Sequence, residues 1–142
     1  MQKTLSCAII GAGSIGGLID SPTSTNTASH AHAISKHPLC KLTAIVEPNL
    51  ANQSAFVGRW GDVGVYHALN ALLEYETIDV LAIASPTSFH ASALQEALHV
   101  NSIRAILCEK PLVSNAKELR VLKPKLLSSE KKILIHMMRR FD

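Results

Sequence analysis

The 142-residue sequence predicts one α/β domain, residues 1–142, built on a doubly wound parallel sheet of about six strands with helices on both faces. Two observations support this fold class. Short, nearly continuous apolar runs recur along the chain and alternate with segments of helical periodicity, which is typical of strands buried on both faces of a parallel sheet. A glycine-rich segment directly follows the first run, where a strand would turn into a helix.

The predicted strands share a short length and an almost uninterrupted apolar content: Leu5–Ile10, Leu42–Val46, Val80–Ala84, Ala105–Cys108 and Ile133–Ile135. Val63–Tyr66 is predicted to be a weaker edge strand. Helical periodicity is found in three segments between the strands: Asn49–Trp60, Ala68–Tyr75 and Phe89–Val100. A last helix is predicted to start near Ser114 and to break or kink at Pro124, because proline lacks the backbone N–H donor.

The glycine-rich segment predicts a site for an anion built from backbone groups. Its candidate cofactor-binding residues are Gly11, Ala12, Gly13, Ser14, Ile15 and Gly16. In this pattern the first glycine permits the tight turn, the second lets the backbone approach a pyrophosphate, and the third lets the helix pack closely on the strand. The phosphates are expected at the positive end of that helix.

A polar segment, Asp20–Ser29, has almost no apolar content and is predicted to be a solvated loop that interrupts the first helix. The helix is expected to restart near Ser29 and to run to about His37. His30, His32 and His37 invite comparison with a zinc site. Histidines two residues apart do not share a helix face, and no carboxylate or cysteine is spaced for coordination, so no metal is predicted. We interpret these histidines as helix-start and surface residues.

Glu47 ends the second predicted strand, where an acidic residue in a dinucleotide-binding fold accepts hydrogen bonds from the adenosine ribose and repels a 2′-phosphate. It follows Gly16 by 31 residues instead of the usual spacing of about 20, and the polar loop explains most of the excess. A plain surface glutamate is the alternative. No Arg or Lys follows Glu47 closely, so NAD is favoured over NADP.

Two further segments follow the fourth and fifth predicted strands. The first reads Ser-Pro-Thr-Ser-Phe-His over residues 85–90 and should face the glycine-rich segment 11–16, called the glycine turn below. Thr87 and Ser88 serve equally well as helix caps. The second is Glu109-Lys110-Pro111. Together with the glycine turn and the acidic end of the second strand, in this order, they resemble the cofactor domain of the glucose–fructose oxidoreductase, inositol dehydrogenase and rhizopine-catabolism (Gfo/Idh/MocA) family. The resemblance covers essentially the whole chain, including Arg59-Trp60-Gly61 and Arg139-Arg140-Phe141.

The resemblance implies a Rossmann fold and a role for each matching residue. Lys110 is implied to be catalytic and to project between the nicotinamide and the substrate, where a partly desolvated amine suits proton exchange with a hydroxyl. A surface lysine paired with Glu109 is the alternative. Pro111 is often cis in this family and would fix the direction of Lys110. The implied cofactor-binding residues beyond the glycine turn are Glu47, Ser85, Pro86, Thr87, His90, Glu109, Lys110, Pro111 and Arg140.

The implied activity is hydride transfer between NAD and a secondary hydroxyl of a sugar, a polyol or a nucleotide sugar. The family carries its other catalytic groups, its substrate contacts and its oligomerisation sheet in a second α+β domain, which is expected to be absent because the chain stops at Asp142. We therefore expect a cofactor-binding domain that is inactive alone, from an enzyme that forms homo-oligomers. A non-catalytic NAD-sensing module is the alternative. A methyltransferase using S-adenosylmethionine would explain the glycine turn and Glu47 but not Glu109-Lys110-Pro111.

Composition excludes other classes of protein. The formal net charge is only +3 and the basic residues are dispersed, which argues against nucleic-acid binding. The longest apolar runs have the length of strands, so no membrane span is predicted. Cys7, Cys40 and Cys108 are odd in number and lie in or beside apolar runs, so we expect reduced, buried thiols and a cytoplasmic protein.

Overall fold

A computed structural model describes residues 3–137 of the chain. Within this range the strands are β1 (Leu5–Ile10), β2 (Cys40–Val46), β3 (Gly64–Tyr66), β4 (Val80–Ile83), β5 (Ala105–Glu109) and β6 (Lys132–His136). The α-helices are α1 (His30–Lys36), α2 (Leu50–Trp60), α3 (Leu69–Tyr75), α4 (His90–Leu98) and α5 (Ala116–Ser128). Every predicted strand is present, within two residues of its expected bounds.

The strands form one six-stranded sheet in the order β3-β2-β1-β4-β5-β6, and all neighbouring pairs are parallel. The predicted doubly wound α/β fold is therefore confirmed. The chain starts in the middle of the sheet and reverses its direction of winding between β1 and β4. Beyond the carboxyl ends of these two strands a crevice opens, and such crevices are where doubly wound sheets bind ligands.

Each face of the sheet is covered by its own apolar core, because successive residues of a strand point to opposite faces. On β1, Ala8 and Ile10 contribute to the larger core and Ile9 to the smaller. The larger core is completed by α3, α4 and α5, and the smaller by α1 and α2. Helices thus lie on both faces, as the continuous apolar strands predicted.

The last helix differs from its prediction. Instead of breaking at Pro124, α5 continues through that residue to Ser128. Pro124 removes the hydrogen bond to the carbonyl of Arg120, but both residues are exposed, so water can solvate the freed oxygen. Leu122 meanwhile stays fully buried and holds the helix against the sheet.

The three cysteines are free thiols, as predicted, but only Cys7 and Cys108 are buried, while Cys40 is half-buried. Burial raises the pKa of the Cys108 thiol to about 12. Burial, reinforced by the neighbouring Cys40, likewise raises the pKa of Cys7 to about 12. These two thiols are therefore protonated and unreactive at neutral pH. None of the helices within residues 3–137 has the length and apolar character needed to cross a bilayer.

Candidate functional site

The glycine turn leaves β1 at the crevice. Gly11 has a φ of +94°, a left-handed conformation that favours glycine, and its N–H donates to the carbonyl of Val46 at 2.8 Å. A side chain on Gly11 would also collide with the backbone of Ser85, whose nitrogen lies 2.6 Å from the place that a Cβ would occupy. Gly13 is different, because a Cβ there would meet nothing within 4 Å. The turn is thus closed against the protein at Gly11 and open at Gly13.

The helix that follows the turn ends before the polar loop, as the sequence predicted, and it is short. Ser14–Leu18 forms a single π-helical turn, in which the N–H groups of Leu18 and Ile19 donate to Gly13 and Ser14 at 3.0 and 2.9 Å. The polar loop then begins. A helical segment of one turn aligns few peptides, so its dipole is smaller than that of the full helix expected at such a turn.

Asp20 joins the two ends of the polar loop by hydrogen bonds. One carboxylate oxygen accepts hydrogen bonds from the N–H groups of Ala28 and Ser29 and from Nδ1 of His32, at 2.6, 2.9 and 3.0 Å. The hydroxyl of Ser29 donates to the other oxygen. Burial alone would raise the pKa of Asp20, but these hydrogen bonds outweigh it and hold the pKa at about 2. The loop is therefore solvated only between its ends, since Asp20 and Ser29 are buried.

Two side chains of α2 hold the segment after the glycine turn in place. Nε1 of Trp60 donates to the carbonyl of Gly17 at 2.8 Å. The guanidinium of Arg59 donates to the carbonyls of Leu18 and Asp20, the latter at 2.9 Å. The Arg59-Trp60-Gly61 segment of the sequence thus anchors the turn that carries the candidate site.

Glu47 is joined directly to the glycine turn. Its Oε2 accepts from the N–H of Ala12 at 2.9 Å, and its Oε1 accepts from the N–H of Asn49 at the same distance. The residue is only 7% exposed, so the alternative of a plain surface glutamate is wrong. A carboxylate offers about four lone-pair sites, and two remain for the hydroxyls of a ligand.

A cavity of about 630 Å³ lies in the crevice between these elements. Of the predicted site residues it is lined by Gly11, Gly13, Ser14, Ile15, Glu47, Ser85 and Pro86. Sequence reasoning missed His67 and Asn52, which also line it. His67 directly follows β3, and its position at the carboxyl end of a strand was the signal that could have identified it.

The cavity fits a dinucleotide. The buried hydroxyl of Ser85 has no hydrogen-bond partner within the described residues and lies in the wall, where a ligand could supply one. Gly13 leaves the opposite wall free for close approach of a diphosphate to backbone. Glu47 offers its remaining acceptor capacity at the β2 end.

His90 does not line the cavity, contrary to the role implied for it. It is 1% exposed, and its ring nitrogens lie 2.8 Å from the carbonyls of Pro111 and Ser85. His90 therefore connects the loop after β4 to the loop after β5. Of the other predicted residues, Ala12, Gly16, Thr87, Glu109, Lys110 and Pro111 lie outside the cavity wall. Arg140 lies outside the described residues.

Lys110 and Glu109 take different environments although they are adjacent. The Lys110 side chain is exposed, and its peptide bond to Pro111 is cis, as the resemblance implied. The carboxylate of Glu109 contacts His30 and His136 at 2.8 and 2.7 Å, so the alternative pairing with Lys110 does not form. Burial alone would raise the pKa of Glu109, but the hydrogen bonds from His136 and His30 outweigh this effect, so the pKa is lowered. Burial lowers the pKa of His30 despite that contact.

Two sequence expectations about the histidines change, although His30 begins α1 and His37 is exposed, as expected. His30 and His32 are 5% and 1% exposed, so neither is a surface residue. The sequence argument that no carboxylate is spaced to meet them does not hold, because Glu109 lies 79 residues beyond His30 and the fold brings them together. His136, which sequence reasoning did not single out, is the register partner of Glu109 on the neighbouring strand.

Comparisons with known proteins agree with the observed fold. The model of the oxidoreductase family with an NAD-binding Rossmann fold, GFO_IDH_MocA, matches residues 5–136. Inositol 2-dehydrogenases from Corynebacterium glutamicum and Rhizobium meliloti are 30% and 28% identical over 100% and 98% of the chain. The crystal structure of apo scyllo-inositol dehydrogenase from Lactobacillus casei superimposes with a TM-score of 0.82 at 26% identity over 99% of the chain. A second structure of that enzyme, with bound NAD(H) and scyllo-inositol, gives a TM-score of 0.76. The chain spans 38–39% of the length of these proteins.

Proposed function

Because the chain belongs to the Gfo/Idh/MocA family of oxidoreductases and is its NAD-binding Rossmann domain, we propose that it serves a dehydrogenase that oxidises a secondary hydroxyl of a cyclic polyol. The observation that carries the proposal is the cavity of about 630 Å³ between the glycine turn, Glu47 and the loop after β4. One wall offers backbone, one a carboxylate and one a hydroxyl that has no partner among residues 3–137, and such groups suit a dinucleotide.

Each wall has a proposed part of the cofactor. The open backbone at Gly13 and the adjoining N–H groups hold the pyrophosphate. The carboxylate of Glu47 accepts from the adenosine ribose hydroxyls, and its charge disfavours a 2′-phosphate, so NAD is preferred to NADP. Ser85 and Pro86 contact the nicotinamide half, where the hydroxyl of Ser85 finds the partner it lacks within the described residues.

The bound nicotinamide supplies a hydride acceptor for the carbon that carries the reacting hydroxyl. The chain supplies proton transfer and orientation. The side chain of Lys110, exposed at the carboxyl end of β5, hydrogen-bonds to the substrate hydroxyl, and its neutral amine form takes the hydroxyl proton as the hydride leaves and the carbonyl forms. His90 acts through Lys110, because the hydrogen bond from His90 to the carbonyl of Pro111 fixes the loop that carries Lys110.

The substrate class rests on the relatives. Those that match the whole chain at 30% identity are named inositol 2-dehydrogenase, and the similar Lactobacillus casei enzyme binds scyllo-inositol in one structure. Because the chain spans 39% of such relatives, we place the remaining substrate contacts and the homo-oligomer interface in a second domain of the whole protein. The free thiols suit a cytoplasmic location.

A second candidate is an NAD-binding module without chemistry. It would share the cavity but would have no use for an amine at Lys110. Turnover that depends on Lys110 therefore distinguishes the two functions, whereas a measurement of cofactor binding does not.

Binding of NADH to this chain tests the proposal directly. Trp60 is the single tryptophan, and its bond to Gly17 connects it to the glycine turn, so its fluorescence should change on binding. We expect saturable quenching by NADH, weaker binding of NADPH, and no response to S-adenosylmethionine. Equal affinity for S-adenosylmethionine, or no response to NADH in calorimetry as well as fluorescence, would contradict the proposal.

A further inference from the structure

Three side chains with metal-binding atoms meet at one corner of the sheet, outside the cofactor cavity. His30 begins α1, Glu109 ends β5 and His136 ends β6. One nitrogen of each histidine faces the same carboxylate oxygen of Glu109, at 2.8 Å from His30 Nε2 and 2.7 Å from His136 Nδ1. All three atoms lie within 4.8 Å of one another.

The chemistry of this set suits a divalent transition metal. Two imidazole nitrogens and one carboxylate oxygen form a common ligand set for zinc, and three protein ligands leave a fourth position for water. Tetrahedral zinc with bonds of about 2.0–2.1 Å holds its ligand atoms about 3.3 Å apart. The observed nitrogen–oxygen distances need to open by only about 0.5 Å to reach that separation, a change that side-chain torsions can supply.

The surroundings also fit an ion. The His30 side chain is 5% exposed and Glu109 is 16% exposed, which fixes two ligands inside the protein. His136 is 32% exposed, so the third side of the cluster is open to solvent and gives an ion a path in. The ring centroids of His30 and His136 are 5.5 Å apart in an edge-on arrangement, so the two imidazoles also contact each other.

We propose that His30, Glu109 and His136 form a binding site for one divalent transition-metal ion, with Zn²⁺ as the preferred ion and water as the fourth ligand. The ion would lie between the two histidine nitrogens and the Glu109 oxygen, and each neutral imidazole would then carry its proton on its other ring nitrogen. It would also tie α1, β5 and β6 together at the segment that leads into Lys110. This inference is independent of the cofactor site, because none of the three residues lines the cavity.

Titration of the metal-stripped chain with Co²⁺ tests the proposal, since tetrahedral Co²⁺ absorbs strongly in the visible range. We expect the spectrum to saturate at one Co²⁺ per chain and Zn²⁺ to displace it. Zn²⁺ should also raise the melting temperature of the stripped chain, because an ion that binds only the folded state stabilises it.

Two variants separate coordination from hydrogen bonding. Glu109→Gln keeps an acceptor oxygen for the histidines but removes the charge, and His136→Asn removes one ligand at the more exposed position. Each should lower the affinity for Co²⁺ by at least about 10-fold, the smallest loss typical of altered metal shells. His99→Asn is the matched control, because His99 is exposed and its side chain bonds only to the carbonyl of Gln95 among the described residues.

The outcomes decide the proposal whether or not a variant is destabilised. Circular dichroism reports the fold of each variant, and His136→Asn carries the test alone if Glu109→Gln unfolds. A stripped chain that shows no saturable Co²⁺ spectrum and no Zn²⁺-dependent melting shift would overturn the site. So would Co²⁺ binding that both cluster variants leave unchanged, or that His99→Asn abolishes.

Discussion

A Cβ atom placed on Gly16 would lie 2.0 Å from the carbonyl oxygen of Gly11. This separation is far below van der Waals contact, and the obstacle is backbone that cannot rotate away. The third glycine of the turn is therefore required by the way the chain packs on itself. Gly13, by contrast, faces open space in the cavity wall. The fold thus requires glycine at positions 11 and 16, whereas the proposed ligand requires it at position 13.

Alanine at positions 16 and 13 should consequently give opposite results. We expect Gly16→Ala to lower the free energy of unfolding by about 3 kcal/mol, the upper range for overpacking. Gly13→Ala should change it by less than about 1 kcal/mol but weaken NADH binding, because its methyl group fills the space of the diphosphate. Thermal denaturation and NADH titration measure the two effects. Gly58→Ala, at an open and exposed position of α2, is the control and should stabilise the chain by up to about 1 kcal/mol.

Substitutions of Glu47 should change the choice of cofactor. Glu47→Ser removes the charge that disfavours a 2′-phosphate, so the ratio of NADPH to NADH affinity should rise by at least about 10-fold, or about 1.4 kcal/mol. Glu47→Gln is the matched variant, since its carbonyl oxygen can still accept from the N–H of Ala12. It should shift the ratio in the same direction while preserving the melting temperature better. An unchanged ratio in both variants would remove Glu47 from the ribose site.

The sheet could be predicted because its signal is local. Each buried strand is a short, mostly apolar run, and β1 ends where the glycines begin. The position of Glu47 beside the glycine turn followed from the same logic, since both lie at carboxyl ends of adjacent strands. The bond from Ala12 to Glu47 adds the detail that the acidic residue also holds the turn.

What could not be predicted depends on contacts between distant segments. Glu109 contacts His30 and His136, which are 79 and 27 residues away in the sequence, so local spacing could not predict the cluster. Aligning β5 with β6 in parallel register would have paired Glu109 with His136, but no local pattern fixes that register. His90 was placed at the cofactor because its loop faces the crevice, whereas the carbonyls of Ser85 and Pro111 draw the ring inward.

The charge of Asp20 should make stability depend on pH in the acid range. The pKa of Asp20 is about 2 in the folded chain, below its ordinary value of 3.8, so its contribution is fully present above about pH 4. It is lost as the pH falls through the folded-state pKa near 2, and the shift corresponds to about 2 kcal/mol. Asp20→Asn should therefore be destabilised by about this amount at pH 7 and should lack the dependence between pH 4 and pH 2. Urea denaturation at several pH values measures it, and a parallel acid dependence in the variant would contradict the assignment.

The polar loop beyond Asp20 should tolerate shortening. The two ends of the loop are joined by hydrogen bonds from the N–H groups of Ala28 and Ser29 to Asp20, and none of its residues lines the cofactor cavity. Replacing Pro22–Thr27 by two glycines should change the free energy of unfolding by less than about 1 kcal/mol, because loop-closure entropy varies slowly with length. NADH affinity should be unchanged. A marked loss of affinity in a variant that remains folded would place the loop at the cofactor after all.

Lys110 should affect turnover and leave cofactor binding nearly intact. Its side chain is exposed and lies outside the wall of the cavity, so removing the amine deletes neither a core contact nor a predicted contact with the pyrophosphate or ribose. In the whole enzyme that contains this chain, we expect Lys110→Met to lower kcat for a cyclic polyol by about 10²–10⁴-fold, the usual range for loss of a general acid or base. NADH affinity should stay within a few-fold of the parent.

Lys110→Arg keeps the charge but not a proton that can be exchanged near neutral pH, so it should be almost as impaired. This outcome separates proton transfer from simple electrostatic attraction. Steady-state kinetics with NAD and inositol, together with NADH titration, measure both quantities. Full activity in Lys110→Met would remove Lys110 from proton transfer, and absence of turnover in the parent enzyme would favour the non-catalytic module. Equal losses of turnover and NADH affinity would assign Lys110 to cofactor binding.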